Sequence, residues 1–230
     1  MSTSVLVIGK SGTGKSRSML NLDPATTFLI NVNGKDLPFV GHKAKYQRLS
    51  NNNLKGNMAV TDKYEQIISA INYVNDKRPE IKVAVIDDFQ YVMSNLYMAR
   101  ATEKAVKDAV FQMYKEIGSH AFHIIRACNA CRDDLVWVFL SHSEESDTGE
   151  TKIKTIGKML DNVIVPEGMF TVVLNTATAH LDGKTEYYFE TQNNGRSTAK
   201  SPEGMFENFK IPNDLKMVVD SINAYNNGGQ

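Results

Sequence analysis

Gly9-Lys10-Ser11-Gly12-Thr13-Gly14-Lys15-Ser16, eight residues into the chain, settles the class of fold. It matches the phosphate-binding loop pattern: a glycine, four residues, then Gly-Lys followed by Ser or Thr. Its flanks fit as well. Ser4-Val5-Leu6-Val7-Ile8 is a short, apolar, β-branched run that reads as a buried strand. Arg17-Ser18-Met19-Leu20 continue a helix expected to start near Gly14. Strand, glycine loop and helix in that order gather backbone N–H groups and a positive helix end around one anion. Gly9, Lys10, Ser11, Gly12, Thr13 and Gly14 form the cradle, because glycines let the backbone approach phosphate without a Cβ in the way. Lys15 is then placed to reach the β- and γ-phosphates of ATP, and the Ser16 hydroxyl to ligate Mg²⁺. The competing reading is a Gly/Ser-rich surface turn, which the strand before the loop argues against.

The 230 residues fit one domain, spanning 1–225 with a disordered tail at 226–230. Lys plus Arg equal Asp plus Glu, so no global field draws the chain to nucleic acid. Any such binding needs locally clustered Lys and Arg. No apolar run approaches membrane-spanning length, and no signal-peptide pattern opens the chain. With two cysteines, this suggests a reducing cytosol.

Further along, Thr27 to Val32 reads as a second buried strand after the Pro24 break. Residues 35–63 read as irregular and mildly basic. Asp62 and Glu65 have the spacing of a capping box, and Tyr64, Ile67, Ile68, Ile71 and Val74 trace one helix face. Val83 to Ile86 is a third strand ending in Asp87-Asp88. A long helical stretch runs from about Tyr91 to Cys128, and Leu135 to Leu140 is a fourth strand ending in Ser141-His142. Strands apolar on both faces and alternating with helices argue for an α/β fold with a mostly parallel sheet flanked by helices. Phe170 to Thr176 and Glu186 to Thr191 are β-rich, and Asp182-Gly183 between them signals a C-terminal β-hairpin. A short helix is expected from Asp214 to Tyr225.

Ligands of parallel sheets sit at the carboxyl ends of the strands, where the glycine loop, Asn33, Asp87-Asp88 and Ser141-His142 all fall. An acid ending an apolar strand suits Asp87 to hold Mg²⁺, since phosphates with one Lys still need a divalent counter-charge. The competing role for Asp87 is a helix N-cap. Hydrolysis also needs a carboxylate to orient water. Asp88 is the first candidate and Asp36 the second, because Asn33, at the neighbouring strand end, cannot accept a proton. His142 is placed to sense the γ-phosphate and pass the signal into the loop from Ser143 to Asp161. That loop's Lys152, Lys154 and Lys158 are candidates for a nucleic-acid backbone, or are simply solvated. Cys128 and Cys131, near His120 and His123, spread over too many helical turns to converge on zinc and read as packing residues.

A small-molecule kinase needs an arginine-rich lid, and none is visible. A lidded AAA+ enzyme adds helices after its sheet, whereas this chain adds a hairpin, the plan of a RecA-like core. Leu29 to Phe39, Val85 to Tyr91, Phe139-Leu140-Ser141-His142, Thr198-Ala199-Lys200-Ser201-Pro202 and Gly204-Met205-Phe206 resemble phage-encoded AAA-family ATPases. More narrowly, they resemble the RecA-core-only single-strand annealing proteins of the Sak-four type, over nearly the whole chain. That resemblance implies an ATPase of phage recombination in the host cytoplasm. It implies single-stranded DNA as ligand, assembly as a homo-oligomeric ring or filament, and a single-stranded-DNA-binding protein as partner. It also implies a basic residue reaching the neighbouring protomer's γ-phosphate, for which Arg196 and Lys200 lie in the corresponding region. RecA relatives carry Glu where this chain has Asn33, which leaves the rate of hydrolysis open.

Overall fold

The computed structural model describes residues 1–101, 107–147, 149–157, 161 and 163–228. The chain opens with β1 (Thr3–Gly9), buried from Ser4 onward, and the glycine loop leaves its carboxyl end. A 3₁₀ helix, Ser16–Asn21, comes next, starting two residues after the Gly14 start expected from the sequence. Ser18 N donates to both Gly14 O (3.0 Å) and Lys15 O (3.1 Å), and the Asp23-Pro24 turn follows the six-residue helix closely. The anion cradle therefore depends on loop N–H groups more than on a helix dipole.

Four parallel neighbours form the centre of the sheet. β2 (Thr27–Asn31) pairs with β4 (Val83–Asp87), β4 with β5 (Val136–Glu145), and β5 with β1. β3 (Met58–Val60) adds an edge beside β2. On the other side come β7 (Val172–Leu181), parallel to β1, then β8 (Lys184–Glu190) and β9 (Lys210–Pro212), both antiparallel. The order is β3-β2-β4-β5-β1-β7-β8-β9, so β5 separates the glycine-loop strand from the Asp87 strand. That separation, with the antiparallel extension beyond β7, is the RecA-like arrangement expected from the sequence.

Alternation along each central strand sends side chains to opposite faces. Leu6, Ile8, Phe28, Ile30, Trp137 and Phe139 face one way. They are covered by α2 (Tyr64–Lys77), α3 (Gln90–Arg100) and α4 (Lys107–Asn129), through residues such as Ile67, Met93 and Ile124. Val5, Val7, Leu29, Val85, Val138 and Leu140 face the other way, against Met19 and against Leu215, Val218 and Ile222 of α5 (Leu215–Asn226). Burial on both faces explains why these strands read as continuous apolar runs.

Some sequence expectations change. Residues 35–63 hold a short helix α1 (His42–Lys45) as well as β3, a strand too short to show a period. The Asp62/Glu65 capping box does not form: Lys63 is the N-cap of α2, and Asp62 accepts from Asn95 Nδ2 at 3.1 Å. β5 does not end at His142. It runs on to Glu145 and pairs with β6 (Thr151–Ile153), so part of the expected loop is a two-stranded arm. Asn226, expected in a disordered tail, closes α5, whose N-cap Asp214 accepts from Lys216 N at 2.9 Å. The hairpin between β7 and β8 is as expected, with Asp182 and Gly183 both at positive φ. Among the described residues, no helix is long and apolar enough to cross a membrane.

Candidate nucleotide site

Parallel pairing aligns the strand ends and brings the polar residues together. The register sets Gly9 opposite His142 and Asn31 opposite Asp87. A cleft of about 340 Å³ opens there, lined among others by Gly12, Gly14, Lys15, Ser16, Lys35, Asp88 and His142. Gly12 and Gly14 have φ of 80° and 94°, a region that disfavours any Cβ. At Gly14 a Cβ would also lie 2.8 Å from Tyr187 Cδ1 and 3.0 Å from Asn213 Oδ1. Thr13 Oγ1 meets Thr176 Oγ1 at 2.5 Å, fastening the loop to β7.

Lys15 is 7% exposed, and its Nζ donates to Gly9 O (2.8 Å) and Lys10 O (2.9 Å). Burial lowers its pKa to about 8, against the charges of Asp88 and Asp87. Two of its three protons are held by the loop itself, which aims the side chain along the cradle.

The two adjacent carboxylates are driven apart in acidity. Asp87 accepts from Ser16 Oγ at 2.9 Å, and burial, then the Asp88 charge, push it up to about 6. Asp88 is also buried, which opposes ionisation. The approach of His142 and the hydrogen bonds from Lys35 and Asn33 outweigh that and hold it well below the usual carboxylate range. Lys35 Nζ lies 2.5 Å from Asp88 Oδ2, Asn33 Nδ2 3.2 Å from the same oxygen, and His142 Nε2 3.6 Å from Oδ1. The last is an ion-pair distance rather than a hydrogen bond. His142 is steadied by an edge-on contact with Tyr91, at 5.7 Å between ring centroids. Asp88 has φ of 65°, the left-handed region that costs an ordinary residue about 1 kcal/mol or more, so the fold holds this carboxylate in place against strain.

The sequence-predicted residues fall into two groups. Gly9 to Ser16, Asp87, Asp88, Asn33 and His142 converge. Asp36 does not: its side chain is 69% exposed, pairs with His42 (3.3 Å) and Lys43 (3.2 Å), and is absent from the cleft wall. Lys152 is taken up by Asp161 (2.6 Å) and Glu144 (3.4 Å), so it is not the free cation expected. Lys154 is exposed, and its N donates to His142 O at 2.8 Å. Lys158 lies outside the described residues. Arg196 is exposed and Lys200 half-buried, the latter bridging backbone to Val173. Cys128 and Cys131 are buried free thiols, and no metal-holding group of His, Cys, Asp and Glu occurs among the described residues. Lys35, Thr176 and Tyr187 were not anticipated. Only Lys35, four residues past the end of β2, carried any signal along the chain.

Ser16 and Asp87 fit a magnesium ion. Their oxygens suit a hard cation, and Asp87 is a buried carboxylate with one hydroxyl donor and a like-charged neighbour, short of positive charge.

The glycine cradle, the buried Lys15 and the strand-end Asp87 define a P-loop nucleotide-binding protein of the α/β class. The AAA-domain family model matches residues 1–202, and the chain belongs to that family of P-loop ATPases. No curated protein matches the chain. Among solved structures, a KaiC-like protein from the hyperthermophilic archaeon Pyrococcus horikoshii OT3 matches with 10% identity and a TM-score of 0.43. The match covers 87% of this chain and 82% of that one. The RecA-like assignment stands on the strand order itself.

Proposed function

We propose that the protein hydrolyses ATP and uses the cycle to act on single-stranded DNA, in recombination or strand annealing. One observation carries the coupling: β5 passes from Asp88's partner His142 directly into the β5–β6 arm, where Lys154 is exposed. In this reading Lys15 binds the phosphates and Ser16 and Asp87 hold Mg²⁺, which supplies counter-charge to the phosphate oxygens. Asp88 orients water for attack on Pγ and accepts its proton. Asn33 donates to Asp88, so it serves that carboxylate instead of replacing it. Lys10 Nζ pairs with Glu145 on the arm at 2.9 Å, a second tie between the phosphate loop and the arm.

DNA as the partner rests on the resemblance to the single-strand annealing proteins. Assembly into rings or filaments rests there too, with Arg196 or Lys200 reaching a neighbouring protomer's nucleotide and a single-stranded-DNA-binding protein alongside. A second reading is favoured by the arm's charge. Glu144, Glu145 and Glu150 accompany Lys152 and Lys154, and Lys152 is already neutralised. On that reading the protein is a nucleotide-gated accessory factor with little DNA contact of its own.

Fluorescence anisotropy on a short single strand, with and without a non-hydrolysed ATP analogue and at two salt concentrations, separates them. ATP-strengthened binding that falls steeply with salt supports the first reading, because each phosphate contact releases a counterion. Affinity that ignores both nucleotide and salt refutes it.

A further inference from the structure

Lys35 enters the cleft from an unusual direction. Gly34, at φ of 65°, turns the chain just past the end of β2, and a Cβ there would lie 3.0 Å from Val60 Cγ1. The turn puts Lys35 in the wall that also holds Lys15, Ser16, Asp88 and His142, while the next residue, Asp36, pairs outside with His42 and Lys43. Lys35 Nζ sits 2.5 Å from Asp88 Oδ2, yet its side chain is 59% exposed and that of Asp88 only 5%. The carboxylate is enclosed, and the ammonium has open space to move into.

The other cations of the wall also have contacts within the protein. Lys15 gives two protons to the loop carbonyls, and Arg17 lies over the Tyr187 ring at 5.1 Å from its centroid. Both oxygens of Asp88 have neighbours: Lys35 and Asn33 donate to Oδ2, and His142 Nε2 lies 3.6 Å from Oδ1. Lys35 and Asn33 thus share the same oxygen of a side chain that is only 5% exposed. A γ-phosphate held by Lys15 brings several negative charges into a cleft that Asp88 already lines. Like charges in a partly buried site repel strongly unless a cation stands between them.

We propose that Lys35 is a catalytic residue acting within its own chain: on ATP binding its ammonium moves from Asp88 to the γ-phosphate, freeing Asp88 to orient water. This rests on the ATPase reading above. In the step, the water oxygen forms a bond to Pγ as the bond from Pγ to the β,γ-bridging oxygen breaks. Asp88 takes the water proton, Lys35 offsets charge on the equatorial oxygens, and ADP and phosphate result. A lysine in cis supplies part of what an arginine from a neighbouring protomer would otherwise provide.

The test uses the full chain with Lys35→Ala and Lys35→Arg. ATP and ADP dissociation constants are measured by competition with a fluorescent ADP analogue, alongside single-turnover hydrolysis and melting temperature. The expected result for Lys35→Ala is ADP affinity within about twofold of wild type, ATP affinity about tenfold weaker, and hydrolysis ~10²–10³-fold slower. Lys35→Arg, which keeps the charge, should recover part of both losses. An unchanged ATP-to-ADP preference overturns the proposal, and so does hydrolysis that is unchanged or faster in Lys35→Ala. Equal loss of both nucleotides with a lowered melting temperature also overturns it, as a structural role. The binding ratio decides even if wild-type turnover is too slow to follow. A wild-type chain that binds neither nucleotide defeats the ATPase reading itself, a different outcome.

Discussion

Gly9→Ala, paired with changes at Thr176, tests the fit between the phosphate loop and β7. Gly9 ends β1 with negative φ, so alanine costs nothing in backbone strain there and gains about 0.4–1 kcal/mol by restricting the unfolded chain. The new Cβ, however, would overlap Thr176 Oγ1 outright and lie 2.7 Å from Thr13 Oγ1. Thr13 is partly exposed and can rotate. Thr176 is 4% exposed, and turning it away breaks its bonds to Thr13 Oγ1 (2.5 Å) and Ile8 O (3.2 Å). Two such bonds at about 0.5–1.5 kcal/mol each, with a buried hydroxyl left unpaired, outweigh the entropic gain and give a net loss of about 1–3 kcal/mol. Thr176→Ala alone loses the two bonds and should cost about 1–2 kcal/mol. In the double variant the overlapping oxygen is gone, so the two losses cannot add. Urea unfolding of the four proteins should show the double variant more stable than the sum by about 1–2 kcal/mol, well beyond the ~0.5 kcal/mol scatter of independent sites. Additivity within that scatter refutes the reasoning, because it means that Gly9 and Thr176 do not share this contact.

Lys15→Ala should weaken ATP and ADP together by at least about a hundredfold in isothermal titration, since a charge-assisted contact to phosphate is lost from a buried position; ADP affinity near wild type would contradict the cradle geometry. Cys128 is fully buried with its thiol pKa pushed well up by burial, and Cys131 is nearly as buried, so neither should react with a thiol reagent until urea unfolds the chain. Fast labelling of the folded protein would disprove their packing role. Lys152→Ala should leave single-strand affinity unchanged, because Asp161 and Glu144 already hold that ammonium, whereas Lys154→Ala should lower the salt slope by about one. Equal effects of the two substitutions in anisotropy titrations would argue against the structural distinction. Phe139→Ala should cost about 3–5 kcal/mol in urea unfolding, as the ring is fully buried between Phe89 and Phe170. A loss under about 1 kcal/mol would mean the core collapses around the site.

The glycine loop, the doubly buried strands, the Asp-Gly hairpin and the rough position of the final helix were all legible along the chain. The first three are written in neighbouring residues: glycines where φ must be positive, apolar runs where both faces are covered, and the Asp-Gly pair at the turn. The same reading placed Asp87, Asp88, Asn33 and His142 at one end of the sheet, because parallel strands bring all their carboxyl ends to the same edge.

How those residues act on one another emerged only in three dimensions. Asp36 and Asp88 were rivals along the chain. In space Gly34 turns Lys35 toward the cleft, while Asp36 pairs with His42 and Lys43, and Asp88 collects Lys35 and Asn33 with His142 close by. The polar run Ser141-His142-Ser143-Glu144-Glu145 has no apolar period, so the extension of β5 was visible only through its pairing with β6. Thr176 and Tyr187 touch the loop from more than 160 residues away along the chain. Local pattern reports backbone conformation and burial. Partnership between charges depends on where distant segments arrive, and the packed sheet sets that.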